Sequence, residues 1–207
     1  MLSVGLTGGI ASGKSLAAQL FVQKGACLID ADLVARDVVR PGEEGLQLVR
    51  NAFGSDIITP SGELDRVKLG TIVFADLVKR KVLDTTLHPF IINRIFSHIG
   101  HLNDQRYQGI VVVDIPLLFE CGIQERFDKT VLVYATPEKQ QQRLMQRSSI
   151  TPEAARQRLC SQMAMDDKRK YADYIIENSG SLDALEVQVA TVWSFLCGIL
   201  QKADKTP

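Results

Sequence analysis

The 207-residue chain has no excess charge of either sign, because lysine and arginine together number 24 and aspartate and glutamate also number 24. It therefore lacks the global positive field that recruits nucleic acid or an anionic membrane surface. It contains no apolar run near the roughly 20 residues that a membrane helix needs, and no basic start followed by the apolar run of a signal peptide. These absences predict a soluble protein that binds neither nucleic acid nor membranes.

Closely spaced cysteines are also missing. The four cysteines, Cys27, Cys121, Cys160 and Cys197, are widely and irregularly spaced, and no Cys-x-x-Cys pair suggests a metal or redox site. We expect reduced, mostly buried thiols in a cytoplasmic protein. Monomers and homo-oligomers are equally compatible with this ordinary composition.

What the sequence does contain is an alternation of short apolar runs and helix-period segments. This alternation is typical of an α/β fold with a doubly wound parallel sheet. The predicted strands are residues 2–6, 27–30, 109–114, 129–134 and 174–176. Continuous apolar runs, such as Ile110 to Val113, suit strands that helices cover on both faces. We therefore predict a five-stranded parallel sheet as the core.

Two longer segments interrupt this alternation. About eighty residues separate the second and third strands, far more than a crossover needs, which predicts an inserted helical segment. Its predicted helices are 43–53, 66–74, 76–86 and one that starts at Pro89. After Ala135 we predict helices at 137–147 and 152–163, with Thr151 as the N-cap of the second. We interpret residues 1–207 as one domain, with a core of about 1–32, 105–135 and 172–207, an insertion of about 33–104 and a lid of about 136–171.

The strongest motif follows the first strand and precedes an amphipathic helix. It fits the pattern G-x-x-x-x-G-K-[ST] and consists of Gly8, Gly9, Ile10, Ala11, Ser12, Gly13, Lys14 and Ser15. Glycines allow backbone N–H groups to turn inward around phosphates, and the helix N-terminus adds the positive end of its dipole. Lys14 supplies a charge for the β- and γ-phosphates, and Ser15 a hydroxyl ligand for Mg²⁺. The motif predicts a magnesium-dependent phosphoryl-transfer enzyme. The alternative interpretation of the same residues is a glycine-rich turn that binds no ligand.

Carboxylates follow two of the predicted strands. Asp114 ends the most hydrophobic strand, where it can face the phosphate loop and hold the metal's water shell, or cap a turn. Asp30 and Asp32 end the second strand, where either could orient an acceptor hydroxyl and take its proton. From the residues alone, a helix-capping role for this pair is as well supported as catalysis.

Two arginines, Arg143 and Arg147, are four residues apart on a predicted helix and so project from the same face. They could close over a nucleotide and stabilise charge on the transferred phosphoryl group. Judged by spacing alone, a solvated basic face is the better supported interpretation.

Taken in order, several segments together resemble bacterial dephospho-coenzyme A kinases along nearly the whole chain. The segments are the phosphate loop with Thr7, the Asp30-Ala31-Asp32 triplet with Arg36, Leu87-His88-Pro89, the run from Asp114 to Glu120, and the run from Ala172 to Gly180. The resemblance implies a P-loop kinase that uses ATP to phosphorylate the ribose 3′-hydroxyl of dephospho-coenzyme A, the last step of coenzyme A synthesis.

The resemblance also implies roles for individual residues. Asp32 would be the base or orienting group for the acceptor hydroxyl, Arg36 and His88 would line the acceptor groove, and Asn178 would lie near the adenine of ATP. Arg143 and Arg147 would belong to a mobile lid and act in catalysis with Lys14. The residues from Gly8 to Leu16 would bind ATP, and Ser15 and Asp114 would hold Mg²⁺, the latter directly or through water. The chain departs from the family pattern at Leu16, where many members have threonine, and at Ser148, where the lid often carries aspartate.

Two other functions remain open at this point. One is a P-loop kinase for another small acceptor, such as a nucleoside monophosphate, shikimate or gluconate. The long helical insertion argues for a larger acceptor, which apolar positions such as Leu69, Ile72, Val73 and Phe74 could help to accommodate. The other is a nucleotide-gated switch, but no Asp-x-x-Gly follows Asp114 as it would in the switch segment of a GTPase.

Overall fold

The computed structural model of the protein describes residues 1–203; residues 204–207, the end of the predicted core segment 172–207, lie outside the described residues. The chain divides into two compact units. Within the described residues, the first unit comprises Met1–Asp30 and the chain from Leu102 to Ala203, and the second unit comprises Ala31–His101. The second unit is thus one uninterrupted segment that leaves the first unit after its second strand.

The first unit is built on a five-stranded sheet in which every neighbouring pair is parallel. The strands are β1 (Leu2–Gly8), β2 (Cys27–Asp30), β3 (Ile110–Asp114), β4 (Lys129–Tyr134) and β5 (Tyr174–Glu177). Their order across the sheet is β2-β3-β1-β4-β5. This confirms the predicted parallel five-stranded sheet, with strand ends that differ from the prediction by at most two residues.

The α-helices within the described residues are α1 (Lys14–Gln23), α2 (Ala31–Asp37), α3 (Glu44–Phe53), α4 (Arg66–Ala75), α5 (Leu77–Asp104), α6 (Pro137–Ser148), α7 (Pro152–Leu159), α8 (Met165–Arg169) and α9 (Leu182–Ala203). Of these, α1 and α9 supply the apolar side chains that pack with β1, β3 and β4 in the main core of the first unit. Phe21 of α1 and Leu196 of α9 are fully buried there, so the sheet and these two helices enclose one hydrophobic core.

Helix α9 corrects one prediction. Within the described residues, Leu182–Lys202 is long and apolar enough to cross a membrane by length and composition. The prediction that no apolar segment approaches this length was therefore wrong. The acidic residues Asp183 and Glu186 interrupt the apolar run without ending the helix. One face of α9, including Leu185 and Val189, is buried in the core, whereas Leu182, Val187 and Phe195 are exposed.

The insertion contains one long helix where two were predicted. Residues 77–86 of the predicted helix 76–86 and the predicted start at Pro89 belong to a single helix, α5, with Pro89 in its interior. Proline removes one backbone hydrogen bond and crowds the preceding turn, which usually ends a helix. Here the apolar spacing continues across Pro89, from half-buried Leu87 to buried Ile95, and packing on both sides of the proline keeps the helix continuous.

The predicted helix at 152–163 ends earlier, at Leu159, and the short helix α8 follows. Its N-cap is confirmed, because the Thr151 hydroxyl accepts a hydrogen bond from the Ala154 N–H. Beyond Leu159, two residues form hydrogen bonds with distant parts of the chain instead of continuing the helix. The Gln162 side chain accepts from the Ile10 N–H at 2.9 Å, and the Met163 N–H donates to the Glu120 carboxylate at 3.1 Å. Tertiary hydrogen bonds therefore override the local helical pattern.

The four cysteines are free thiols, but the expectation that they are mostly buried was wrong. Cys160 is exposed, and Cys27, Cys121 and Cys197 are half-buried. Cys27 lies in β2, the strand at one edge of the sheet, where one side of the strand has no neighbouring strand within residues 1–203.

At the amino ends of β4 and β5, an ion-paired carboxylate joins the two strands. The Asp173 carboxylate accepts hydrogen bonds from the Thr130 backbone and hydroxyl at 2.8 and 2.9 Å and from Lys129 Nζ at 2.9 Å. Burial alone would raise the pKa of Asp173, but the hydrogen bonds from Lys129 and Thr130 outweigh it and lower the pKa below its ordinary value. The same contact raises the pKa of Lys129.

Candidate active site

The phosphate loop connects β1 to α1 at the carboxyl edge of the sheet. Gly13, the N-cap of α1, has a φ of 92°, a left-handed conformation that favours glycine. A side chain there would also collide with the Asn178 amide nitrogen. Ala11 is left-handed as well, with a φ of 58°. The loop therefore has the tight, inward-curving backbone that the motif predicts.

Lys14 and Asp114 form an ion pair at the base of this loop. Their side chains are only 13% and 10% exposed, so both charges are largely withdrawn from water. Asp114 ends β3, directly beside β1, and its register partner in β2 is Asp30. The structure thus brings the predicted lysine and the predicted acidic residue into contact.

The same end of the loop has oxygen donors that suit a magnesium ion. Ser15 lies in the first turn of α1 and is exposed, as is the adjacent Leu16, while Asp114 supplies a carboxylate. Among the described residues, no group of three or more histidine, cysteine, aspartate or glutamate side chains could hold a metal ion. A hydroxyl and a carboxylate fit Mg²⁺, which is commonly held by few protein ligands, with water and substrate phosphates completing its shell.

Side chains from distant parts of the first unit hold the backbone of the loop. Asn178, which follows β5, donates to the Ser12 carbonyl at 2.7 Å, and Arg143 of α6 approaches the same oxygen at 3.5 Å. Both were predicted as site residues, and the structure places both at the loop. Arg147, one turn further along α6, is exposed.

Two glutamines that the sequence analysis did not identify also bind the loop. Gln140 of α6 donates to the Ile10 carbonyl at 2.6 Å, and Gln162, between α7 and α8, accepts from the Ile10 N–H at 2.9 Å. Gln140 precedes Arg143 by three residues and Arg147 by seven, and so lies on the same helical face. That shared face is the signal that could have identified Gln140, whereas Gln162 lies in no regular element and carries no such signal.

A buried lysine anchors α8 to the segment that follows Asp114. Lys168 is fully buried, and its ammonium group contacts Glu120 at 2.9 Å and the Pro116 carbonyl at 3.2 Å. Glu120 also accepts from the Met163 N–H at 3.1 Å, and Thr7 donates to the Pro116 carbonyl at 3.2 Å. These contacts connect β1, the segment after β3 and α8.

The predicted acceptor residues lie in the second unit. Asp32 is in the first turn of α2, and Arg36 is one turn later on the same face; both are exposed. His88 lies on α5 at 3.9 Å from Asp84. Phe74, one of the predicted apolar positions of α4, is 85% exposed, whereas Leu69 is buried.

Comparison with known proteins points to one family. The family described as dephospho-CoA kinase matches residues 2–184. The dephospho-CoA kinase of Arabidopsis thaliana is 46% identical over 194 residues, covering 93% of this chain and 82% of the relative. That of Streptomyces avermitilis is 44% identical over 197 residues, covering 95% of this chain and 94% of the relative.

Solved structures agree with these sequence matches. The dephospho-CoA kinase of Campylobacter jejuni is 29% identical, with a TM-score of 0.70 that covers 93% of this chain and 95% of that chain. The shikimate kinase of Bacteroides thetaiotaomicron, at 15% identity and a TM-score of 0.51 over 94% of this chain and 98% of that chain, shares the fold. The phosphate loop, its ion pair and the parallel sheet thus lie in a chain that matches one kinase family over residues 2–184. The protein belongs to the dephospho-CoA kinase family.

Proposed function

We propose that this protein is a dephospho-CoA kinase, which transfers the γ-phosphoryl group of ATP to the ribose 3′-hydroxyl of dephospho-coenzyme A and so completes coenzyme A synthesis. The single observation that carries this proposal is the phosphate loop with Lys14 paired to Asp114, in a chain of this family. Phosphoryl transfer depends mainly on positioning and on stabilising charge, and this loop supplies both.

The loop residues Gly8 to Ser15, with Leu16, would hold the triphosphate through backbone N–H groups. Lys14 would provide a positive charge for the β- and γ-phosphates, and Arg143 and Arg147 of α6 would stabilise charge on the transferred phosphoryl group. The contact of Arg143 and Asn178 with the Ser12 carbonyl supports their place at the nucleotide site.

Ser15 and Asp114 would hold Mg²⁺ together with the nucleotide. The ion would neutralise charge on the β- and γ-phosphates. Ser15 is exposed in the first turn of α1, and Asp114 is within contact distance of Lys14, so both lie at the phosphate end of the loop.

Asp32 would orient the acceptor hydroxyl and accept its proton, while Arg36 and His88 would bind the acceptor. The shared face of Asp32 and Arg36 on α2 supports a joint role. In this proposal, residues 33–104 are the acceptor-binding insertion, 136–171 the lid, and the remaining segments the core.

We further propose a cytoplasmic location, which the four free cysteines support. Neither nucleic acid nor a membrane is part of the proposed activity. The proposal is compatible with a monomer or a homo-oligomer.

The test is an acceptor panel. The purified protein is incubated with ATP, Mg²⁺ and, separately, dephospho-coenzyme A, a nucleoside monophosphate, shikimate or gluconate, and products are identified by mass spectrometry. We expect one added phosphoryl group on dephospho-coenzyme A only. Preferential phosphorylation of another acceptor would contradict the proposal.

A further inference from the structure

Two glutamine side chains hold Ile10 of the phosphate loop from both ends of the residue. Gln140 donates to its carbonyl at 2.6 Å, and Gln162 accepts from its N–H at 2.9 Å. Gln140 is only 4% exposed, so its amide depends on this partner. Neither hydrogen bond is local, because the glutamines follow Ile10 by 130 and 152 residues.

Holding the carbonyls determines where the next N–H groups point. In a trans peptide, the C=O of one residue and the N–H of the next lie in one plane and point in opposite directions. Gln140 on the Ile10 carbonyl therefore directs the Ala11 N–H away from α6, and Asn178 on the Ser12 carbonyl directs the Gly13 N–H away from itself. Inward-directed N–H groups of this kind bind the phosphates in such a loop.

The loop is also closely packed around Gly9. A side chain at Gly9 would come within 2.5 Å of Gln140 Nε2 and 2.7 Å of Met165 Sδ. The loop backbone thus lies directly against residues of α6 and α8. A shift of α6 that displaced Gln140 would release the Ile10 carbonyl, while Gln162 would still hold the Ile10 N–H.

We propose that Gln140 and Gln162 are positioning residues that fix the two peptide groups flanking Ile10 and so aim the loop's N–H groups at the β-phosphate. They contact the loop backbone, and in this proposal they act on the nucleotide only through it. The inference rests on the proposed function in one respect only, namely that this loop binds a nucleotide's phosphates. Gln140 and Arg143 share a face of α6. The helix that carries the positive charge of Arg143 therefore also holds the backbone of the phosphate loop.

The test compares ADP with AMP, which lacks the β-phosphate, by isothermal titration calorimetry without acceptor. Gln140→Leu removes the donor at similar size and adds no charge. We expect ADP affinity to fall about tenfold to a hundredfold, as for the loss of a buried hydrogen-bond partner, while AMP affinity changes less than about twofold. Gln142→Leu is the matched control, because Gln142 lies on the exposed face of α6.

Gln162→Met provides an independent measurement, since it removes the acceptor of the Ile10 N–H from a half-buried position. If Gln140→Leu does not fold, the Gln162→Met variant alone tests whether these glutamines position the loop. Equal losses of ADP and AMP affinity, or no loss in either variant, would overturn the proposal. Failure of the acceptor panel with this ADP selectivity intact would count against the proposed acceptor alone.

Discussion

Lys168 offers a sharp test of how the fold is held around the site. Its side chain is fully buried, and its partner Glu120 is 21% exposed. Lys168→Met keeps most of the apolar stem and removes the charge, leaving Glu120 without its cation. The Pro116 carbonyl keeps Thr7 as a donor, and Glu120 keeps the Met163 N–H.

Removing one partner of a buried pair costs about 3–5 kcal/mol. Since Glu120 retains some contact with water, we expect the lower end, about 3 kcal/mol. In a protein of about this size, one kcal/mol shifts the melting temperature by about 2–4 °C. The variant should therefore melt about 6–12 °C below the wild type in a thermal scan followed by circular dichroism.

Two further variants make the measurement specific. Lys170→Met removes a lysine whose side chain is 70% exposed and paired to Asp167 at 2.7 Å, and it should leave the melting temperature unchanged because exposed pairs contribute little. Adding Glu120→Gln to Lys168→Met should restore part of the loss, because no uncompensated charge remains. Melting of Lys168→Met within a degree of the wild type, or a further fall in the double variant, would refute the reasoning.

Four other predictions concern the site and the sheet. Lys14→Ala should reduce turnover about a thousandfold with unchanged circular dichroism, because it removes a charge that stabilises the transferred group; near-normal turnover in a coupled ADP assay would contradict the role. Asp32→Asn should reduce turnover about a hundredfold with ATP affinity unchanged, and Asp30→Asn should do less; the reverse order in steady-state kinetics would reassign the role. Hydrogen exchange over residues 137–163 should slow when nucleotide and acceptor bind, if this segment closes as a lid, and unchanged exchange would argue against closure. The lowered pKa of Asp173 means that its stabilisation is present above its unfolded pKa and lost as pH falls through the folded value, so Asp173→Asn should melt below the wild type at pH 7 and approach it below about pH 4, whereas a constant difference across pH would exclude this origin.

The sheet was predictable because its signals are local. Each strand is a short apolar run, and two of the five, Cys27–Asp30 and Lys129–Tyr134, have the predicted ends. Pro89 was misinterpreted because its local effect is to break a helix, while the packing that keeps α5 continuous comes from residues on both sides. At this position, the conformational preference of proline favours the end of a helix, whereas tertiary packing favours a continuous helix, and the structure follows the packing.

The residues of the candidate site also differ in how local their sequence signals are. The phosphate loop is a continuous motif and was recognisable from eight consecutive residues, Gly8 to Ser15. Gln140, Gln162 and Lys168 act across long stretches of chain, and an amide or ammonium group is informative only once its partner is known. The sequence therefore identifies what contacts a phosphate more readily than what supports the contacting backbone.

The strand order also bears on how the chain folds as it leaves the ribosome. β1 and β2 are made first but do not pair with each other, because β3 lies between them, and Leu2 must wait for Ile110. During that interval the second unit is completed as one continuous segment. Pairings of such long sequence separation form slowly, so we expect the nascent chain to carry a finished helical unit beside two unpaired strands until β3 emerges. The phosphate loop, which joins β1 to α1, would become ordered only after β3 has paired with both β1 and β2.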